Sequence, residues 1–175
     1  MYTHPKDSAC CRDILPGVGG PTIEYGTDTT RGIASLLFSG TASKYPDVKF
    51  IFSHAGGTMP YLIERFIGTS AAYLEEGGVL KPGAPAPRTR PTMPKGPLYE
   101  LQKFYYDTAN ALNPLALGAL RKMVPMSQIL FGTDFPFANA AEDRKLLAEC
   151  GVFNAKELVT IDYENPVRLL PRHRA

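Results

Sequence analysis

The chain has 175 residues, 44% hydrophobic and 21% charged, with 19 basic side chains against 17 acidic ones and a formal net charge of +2. That length holds one domain with a sizeable core. The scattered charge offers no basic run for nucleic acid, and no apolar stretch reaches the ~18–20 residues of a membrane span. Three cysteines, Cys10, Cys11 and Cys150, are too few and oddly numbered for a disulfide framework. With no secretory leader pattern at Met1, a reducing, cytoplasmic setting is expected.

In chain order, Met1 to Thr3 suits a strand that ends at His4-Pro5, and its brevity makes it look cut off. Lys6 to Tyr25 reads as a loop, with Pro16-Gly17 and Gly19-Gly20-Pro21 as turn signals. Thr27 to Thr30 offers N-caps for an amphipathic helix over Thr29–Lys44, its apolar side carrying Ile33, Leu36 and Leu37. Val48–Phe52 is an apolar strand leading to Ser53-His54-Ala55-Gly56-Gly57. A helix is predicted over Pro60–Glu76, ended by Gly77-Gly78. Val79–Pro97 is rich in Pro and Gly and carries Lys81, Arg88, Arg90 and Lys95. A solvated loop is the preferred reading there, ahead of a lid that anchors substrate.

Leu98–Lys103 reads as a helical turn and Phe104–Thr108 as a strand. A helix over Pro114–Met123, a strand over Gln128–Phe131 ending in Gly132-Thr133-Asp134, and helices over Ala140–Cys150, Asn154–Thr160 and Glu164–Leu170 follow. Strands alternating with helices predict an α/β fold with a parallel sheet and crossover helices, and four such units are half of an eight-fold barrel. Residues 1–171 form that domain, and residues 172–175, with His173, form a basic tail.

In a parallel barrel the C-terminal ends of all strands open on one face. His4, His54 and Asp134 stand at three strand ends, so residues far apart in sequence are expected to converge. Histidine with a carboxylate is a usual donor set for a catalytic divalent metal. Asp107 stands at the fourth strand end, where capping of the next helix is the preferred role. Adjacent Cys10-Cys11 reads as two small buried hydrophobes rather than a nucleophile. No Gly-x-Ser-x-Gly elbow and no Walker A loop is present.

Three stretches carry a resemblance: Ser53-His54-Ala55-Gly56-Gly57-x-x-Pro60, Tyr105-Tyr106-Asp107-Thr108-Ala109, and Ile129 to Phe137 with its Gly132-Thr133-Asp134. Together they resemble the amidohydrolase-related decarboxylases, the group that includes aminocarboxymuconate-semialdehyde decarboxylase. Asn165-Pro166-x-Arg168-Leu169-Leu170-Pro171 looks like the closing helix of that group. Asp28 to Gly40 is most similar to the fungal 6-methylsalicylate decarboxylase branch. The resemblance implies the C-terminal half, strands five to eight, of a TIM (β/α)8 barrel. It also implies a carboxy-lyase acting on a small aromatic or unsaturated carboxylic acid. His4 and Asp134 match zinc-ligand positions, and His54 matches the catalytic histidine that moves protons.

The chain departs from the family pattern at one place. The family's His-x-His zinc pair of the first strand has no counterpart here, and neither do strands one to four. The preferred expectation is a fragment of a longer gene product, ahead of a truncated product or a half that pairs with another chain. Open sheet edges predict a homo-oligomer or part of a longer chain. Two alternatives stay open: a metal-dependent hydrolase of the same superfamily, and a non-catalytic half-barrel remnant.

Overall fold

A computed structural model describes residues 1–8, 10–11, 15–86 and 88–171; the expected basic tail, with His173, lies outside the described residues. In chain order the elements are β1 (Tyr2–Thr3), α1 (Gly20–Phe38), α2 (Thr41–Lys44), β2 (Ile51–Phe52), α3 (Ile63–Ile67), β3 (Leu74–Glu75), β4 (Val79–Leu80), α4 (Pro97–Leu101), β5 (Tyr105–Asp107), α5 (Pro114–Met123), β6 (Ile129–Leu130), α6 (Ala140–Glu149), α7 (Ala155–Val159) and α8 (Asn165–Leu169).

The expected parallel sheet is present, with order β1-β2-β5-β6. Tyr2 pairs with Ile51, Ile51 with Tyr105, and Tyr106 with Ile129. Four strands in sequence order, each joined to the next by helix, wind one way and leave their C-terminal ends on one side. Among the described residues β1 and β6 each have a single sheet neighbour. Aromatic rings cement the sheet: Phe52 meets Phe104 edge-on at 5.1 Å between ring centres, and Phe50 meets Phe104 at 5.8 Å. Tyr106 is fully buried and donates its hydroxyl to Leu101 O at 2.9 Å.

Four elements differ from the sequence expectation. α1 begins at Gly20, with Pro21 in its first turn, so Thr29 and Thr30 are buried helix residues and not caps. Thr30 Oγ1 sits 2.8 Å from Gly26 O and from Thr58 Oγ1, so it serves packing rather than initiation. α1 stops at Phe38, and Gly40, at φ +79°, separates it from the short α2. The helix expected over 60–76 is only Ile63–Ile67, because Gly68 adopts φ +71° and ends it. Gly77 and Gly78, both at positive φ, then turn an antiparallel hairpin of β3 and β4 rather than closing a helix. The last two expected helices are one continuous run, because residues Thr160–Glu164 form a π turn between α7 and α8.

The Asn165 motif is structural. Asn165 is fully buried, and its Nδ2 donates to Met126 O and Ile129 O, each at 2.8 Å. Arg168 Nη2 donates to Asn165 Oδ1 at 2.7 Å and to Ser127 O at 2.8 Å. The closing helix is thereby latched to the entry of β6. All three cysteines are free thiols; Cys10 is exposed and Cys11 and Cys150 half-buried, which corrects the reading of Cys10-Cys11 as a buried pair.

Candidate active site

The parallel sheet brings three of the four strand ends to one cluster. His4 follows β1, His54 follows β2 and Asp134 follows β6, and one donor atom from each lies within 4.8 Å of the others. The backbone there is unusual. His54 (φ +57°), Ala55 (φ +55°), Asn110 (φ +51°) and Asp134 (φ +61°) are the non-glycine residues at positive φ among the described residues. All four lie past strand C-terminal ends, and positive φ in a non-glycine residue stores backbone strain.

His54 is fixed from three directions. Its backbone N donates to Asp107 Oδ1 at 3.0 Å. Its ring Nδ1 lies 3.1 Å from Ala109 O. A carbonyl only accepts, so Nδ1 carries the hydrogen and Nε2 is left free of that bond. The turn behind it depends on Gly57 at φ +66°: a Cβ there would stand 2.1 Å from Gly26 O of α1. That close approach seats α1 against the turn, and Thr58 N donates to Thr30 Oγ1 at 2.9 Å.

Asp107 corrects a sequence reading. It does not cap the following helix: α5 is capped by Asn113, whose Oδ1 accepts from Leu115 N and Ala116 N. Asp107 is almost fully buried; Oδ1 accepts from His54 N and Ala109 N at 3.0 Å each, and Oδ2 accepts from the Tyr2 hydroxyl at 2.5 Å. Burial pushes its carboxyl above the ordinary carboxylate range, against these hydrogen bonds, which pull it back. Burial, and then the carboxylate, likewise hold the Tyr2 phenol above its usual value.

His4 Nε2 and Asp134 Oδ1 stand 3.1 Å apart. Two ligands of a tetrahedral metal at ~2.0–2.1 Å from the ion lie about 3.3 Å from each other. The pair therefore fits a cation with little movement, and the donor set of imidazoles and carboxylate suits zinc, manganese or iron alike. Asp134 Oδ2 is engaged separately, accepting from Asn110 Nδ2 at 2.6 Å.

Over the cluster opens a cavity of about 840 Å3, with Tyr25 and Phe137 in its walls. Tyr25 meets the His4 ring edge-on at 5.9 Å. Tyr25 and Asn110 were not read from the sequence as site residues. A tyrosine inside an expected loop carries no signal, whereas Asn after a strand is a residue that tolerates positive φ. No lysine or arginine is among the described residues lining the cavity. The basic residues of the 79–97 segment are used elsewhere: Arg90 covers the Phe38 ring at 4.9 Å, and Lys81 Nζ donates to Ala72 O at 3.0 Å. No helix is long and apolar enough to cross a membrane among the described residues.

The chain is similar to several known proteins. A 6-methylsalicylic acid decarboxylase of Penicillium expansum is 38% identical over 141 residues, which is 81% of this chain and 38% of that one. A 6-methylsalicylic acid decarboxylase of Aspergillus aculeatus is 32% identical over 97% of this chain and 49% of its own length. The chain thus spans about half, or less, of these relatives. Among solved structures, 2,6-dihydroxybenzoate decarboxylase complexed with 2,6-dihydroxybenzoate superposes with a TM-score of 0.75 at 22% identity, over 99% of this chain and 51% of that one. A dihydroxybenzoic acid decarboxylase from Polaromonas, with bound manganese and the inhibitor 2-nitroresorcinol, superposes with a TM-score of 0.72 at 24% identity, over 99% and 50%. The fold is that of amidohydrolase-superfamily TIM barrels over about half their length. The family model described as amidohydrolase matches residues 13–172, nearly the whole of the 175, and the chain belongs to the amidohydrolase family.

Proposed function

We propose that the chain is the C-terminal half, strands five to eight, of a metal-dependent decarboxylase that removes CO2 from a small aromatic carboxylic acid of the salicylate type. The observation that carries this reading is the convergence of His4, His54 and Asp134 from three strand ends. Relatives named as 6-methylsalicylic acid decarboxylases support the substrate class.

In this reading His4 and Asp134 hold a divalent cation, zinc by the family resemblance, with the remaining positions supplied by groups outside this chain. A cation held there would supply positive charge for the substrate's anionic oxygens. His54, with Nδ1 donating to Ala109 O, presents Nε2 to the cavity. Its protonated form delivers that proton to the ring carbon bearing the carboxylate. The C–C electron pair returns to the ring as CO2 leaves, and His54 is left neutral to be recharged from solvent. Tyr25 and Phe137 line the cavity and offer aromatic faces to a flat ring.

The sheet edges bear on whether this half can act alone: β1 and β6 each have an open side among the described residues, and a further cavity of about 330 Å3 opens between β1, β2 and α1. This is the form expected of a half that is completed by a longer chain or by another copy. One experiment separates a chain that works alone from one that must be completed. The purified 175-residue protein is dialysed, analysed for metal, and assayed for CO2 release from 6-methylsalicylate and 2,6-dihydroxybenzoate. About one metal per chain with turnover supports a self-sufficient enzyme. Metal-free, inactive protein assigns the activity to the completed barrel. Retained metal with lactone hydrolysis and no CO2 release overturns the decarboxylase reading.

A further inference from the structure

The two oxygens of Asp134 have different partners. Oδ1 faces His4 Nε2 at 3.1 Å, and Oδ2 takes the amide hydrogen of Asn110 Nδ2 at 2.6 Å. Both residues hold positive φ, +51° and +61°, so the backbone is bent on each side to make this meeting. Asn110 is exposed at the cavity and caps no helix, α5 being capped by Asn113. Its amide therefore has no evident fold-building use.

We infer that Asn110 is a positioning residue of the metal site: by occupying Oδ2 it leaves Asp134 a single free oxygen, Oδ1, aimed at the His4 side. The inference rests on the metal-centre reading above. The physical gain has two parts. A carboxylate with one oxygen held by an amide is biased against swinging to bind through both, so its orientation is set before the cation arrives. A charge-assisted hydrogen bond from a neutral amide also holds the carboxylate in place without adding a competing charge. Outer partners of this kind govern metal affinity by ~10–100-fold.

Positive φ permits a clean test, because glycine is relaxed at both positions. Asn110→Gly and Asp134→Gly remove the side chains without backbone strain. Zinc affinity of the full chain is measured by competition with a chromogenic chelator for the wild type, both single variants and the double variant. The expected result is a 10–100-fold weaker Kd for Asn110→Gly with an unchanged Tm of the metal-free protein. Asn110→Gly should cause no further loss in the Asp134→Gly background, since the amide acts only through that carboxylate. Wild-type zinc affinity in Asn110→Gly, or an equal loss in both backgrounds, overturns the inference. The Asn110 side-chain amide resonance is followed in parallel in the metal-free protein. It should be shifted and protected from exchange in the wild type and revert in Asp134→Gly; an unchanged resonance also overturns it. Should the wild type hold no zinc, the metal-centre reading fails for this chain alone, and the amide resonance alone decides whether Asn110 positions Asp134.

Discussion

Tyr2 and Asp107, 105 residues apart, meet through a 2.5 Å hydrogen bond, and the other carboxylate oxygen of Asp107 holds the backbone N of His54. The first strand of the chain is thus tied through one buried side chain to the turn that carries the proposed proton-transfer residue. Asp107→Ala leaves the N–H groups of His54 and Ala109 and the Tyr2 hydroxyl without their acceptor. Each buried orphan costs about 1–3 kcal/mol. The expected loss on urea unfolding is about 3 kcal/mol, and it should fall well below that for Asp107→Asn, whose oxygen still accepts from the two N–H groups.

The same carboxyl makes a pH prediction. Burial, the largest influence, raises its folded pKa above the unfolded value near 3.9. The folded state then holds the proton more tightly, so the stability this group contributes is fully present below the unfolded pKa and is lost as pH rises through the folded one. Urea midpoints across that interval should fall with rising pH in the wild type relative to Asp107→Asn. Parallel profiles for the two proteins would contradict the assignment.

His54 and His4 should separate by function although their rings lie 5.4 Å apart. Asn tolerates positive φ, so His54→Asn keeps the turn while removing the imidazole. In whichever form of the protein is active, decarboxylation should fall by about 10²–10⁴ with metal content unchanged. His4→Ala should lose metal and activity together. Loss of metal in His54→Asn would make His54 a ligand instead of the proton carrier.

The turn glycines give a matched pair. Gly57 and Gly83 both hold positive φ, but a Cβ on Gly57 would stand 2.1 Å from Gly26 O, whereas one on Gly83 would meet nothing within 4 Å among the described residues. Gly83→Ala should cost only the left-handed conformational penalty, about 1–2 kcal/mol. Gly57→Ala adds a backbone collision that must push α1 away from the His54 turn, with overpacking of about 1–3 kcal/mol more. Thermal unfolding of the two variants measures the difference.

What could be read from the sequence divides along physical lines. α5 was legible to the residue because Pro114 starts it and its apolar period is unbroken. The strand ends were legible because apolar runs stop at His54 and Asp134. The boundaries of α1 and α3 were not: Thr30 lies inside a helix because Thr58 meets it, and Gly68, at positive φ, ends α3 where Gly77 was expected to. Asp107 was misassigned because its partners, Tyr2 and His54, are distant in sequence and no local pattern reports them.

Asn165 extends that lesson to stability. In sequence it belongs to an Asn-Pro-x-Arg stretch that looks like a closing helix; in the fold its amide satisfies two carbonyls at the entry of β6. Asn165→Ala leaves Met126 O and Ile129 O without this donor and frees Arg168 from one of its acceptors. Orphaned buried carbonyls cost about 1–3 kcal/mol. Asn165→Asp should be at least as damaging, because a carboxylate turned toward two carbonyl oxygens can offer them no hydrogen. Both variants should lower the unfolding midpoint while leaving zinc affinity per folded chain unchanged, since the latch lies on the N-terminal side of β6, away from Asp134. A selective fall in zinc affinity without loss of stability would instead place Asn165 among the residues that shape the site.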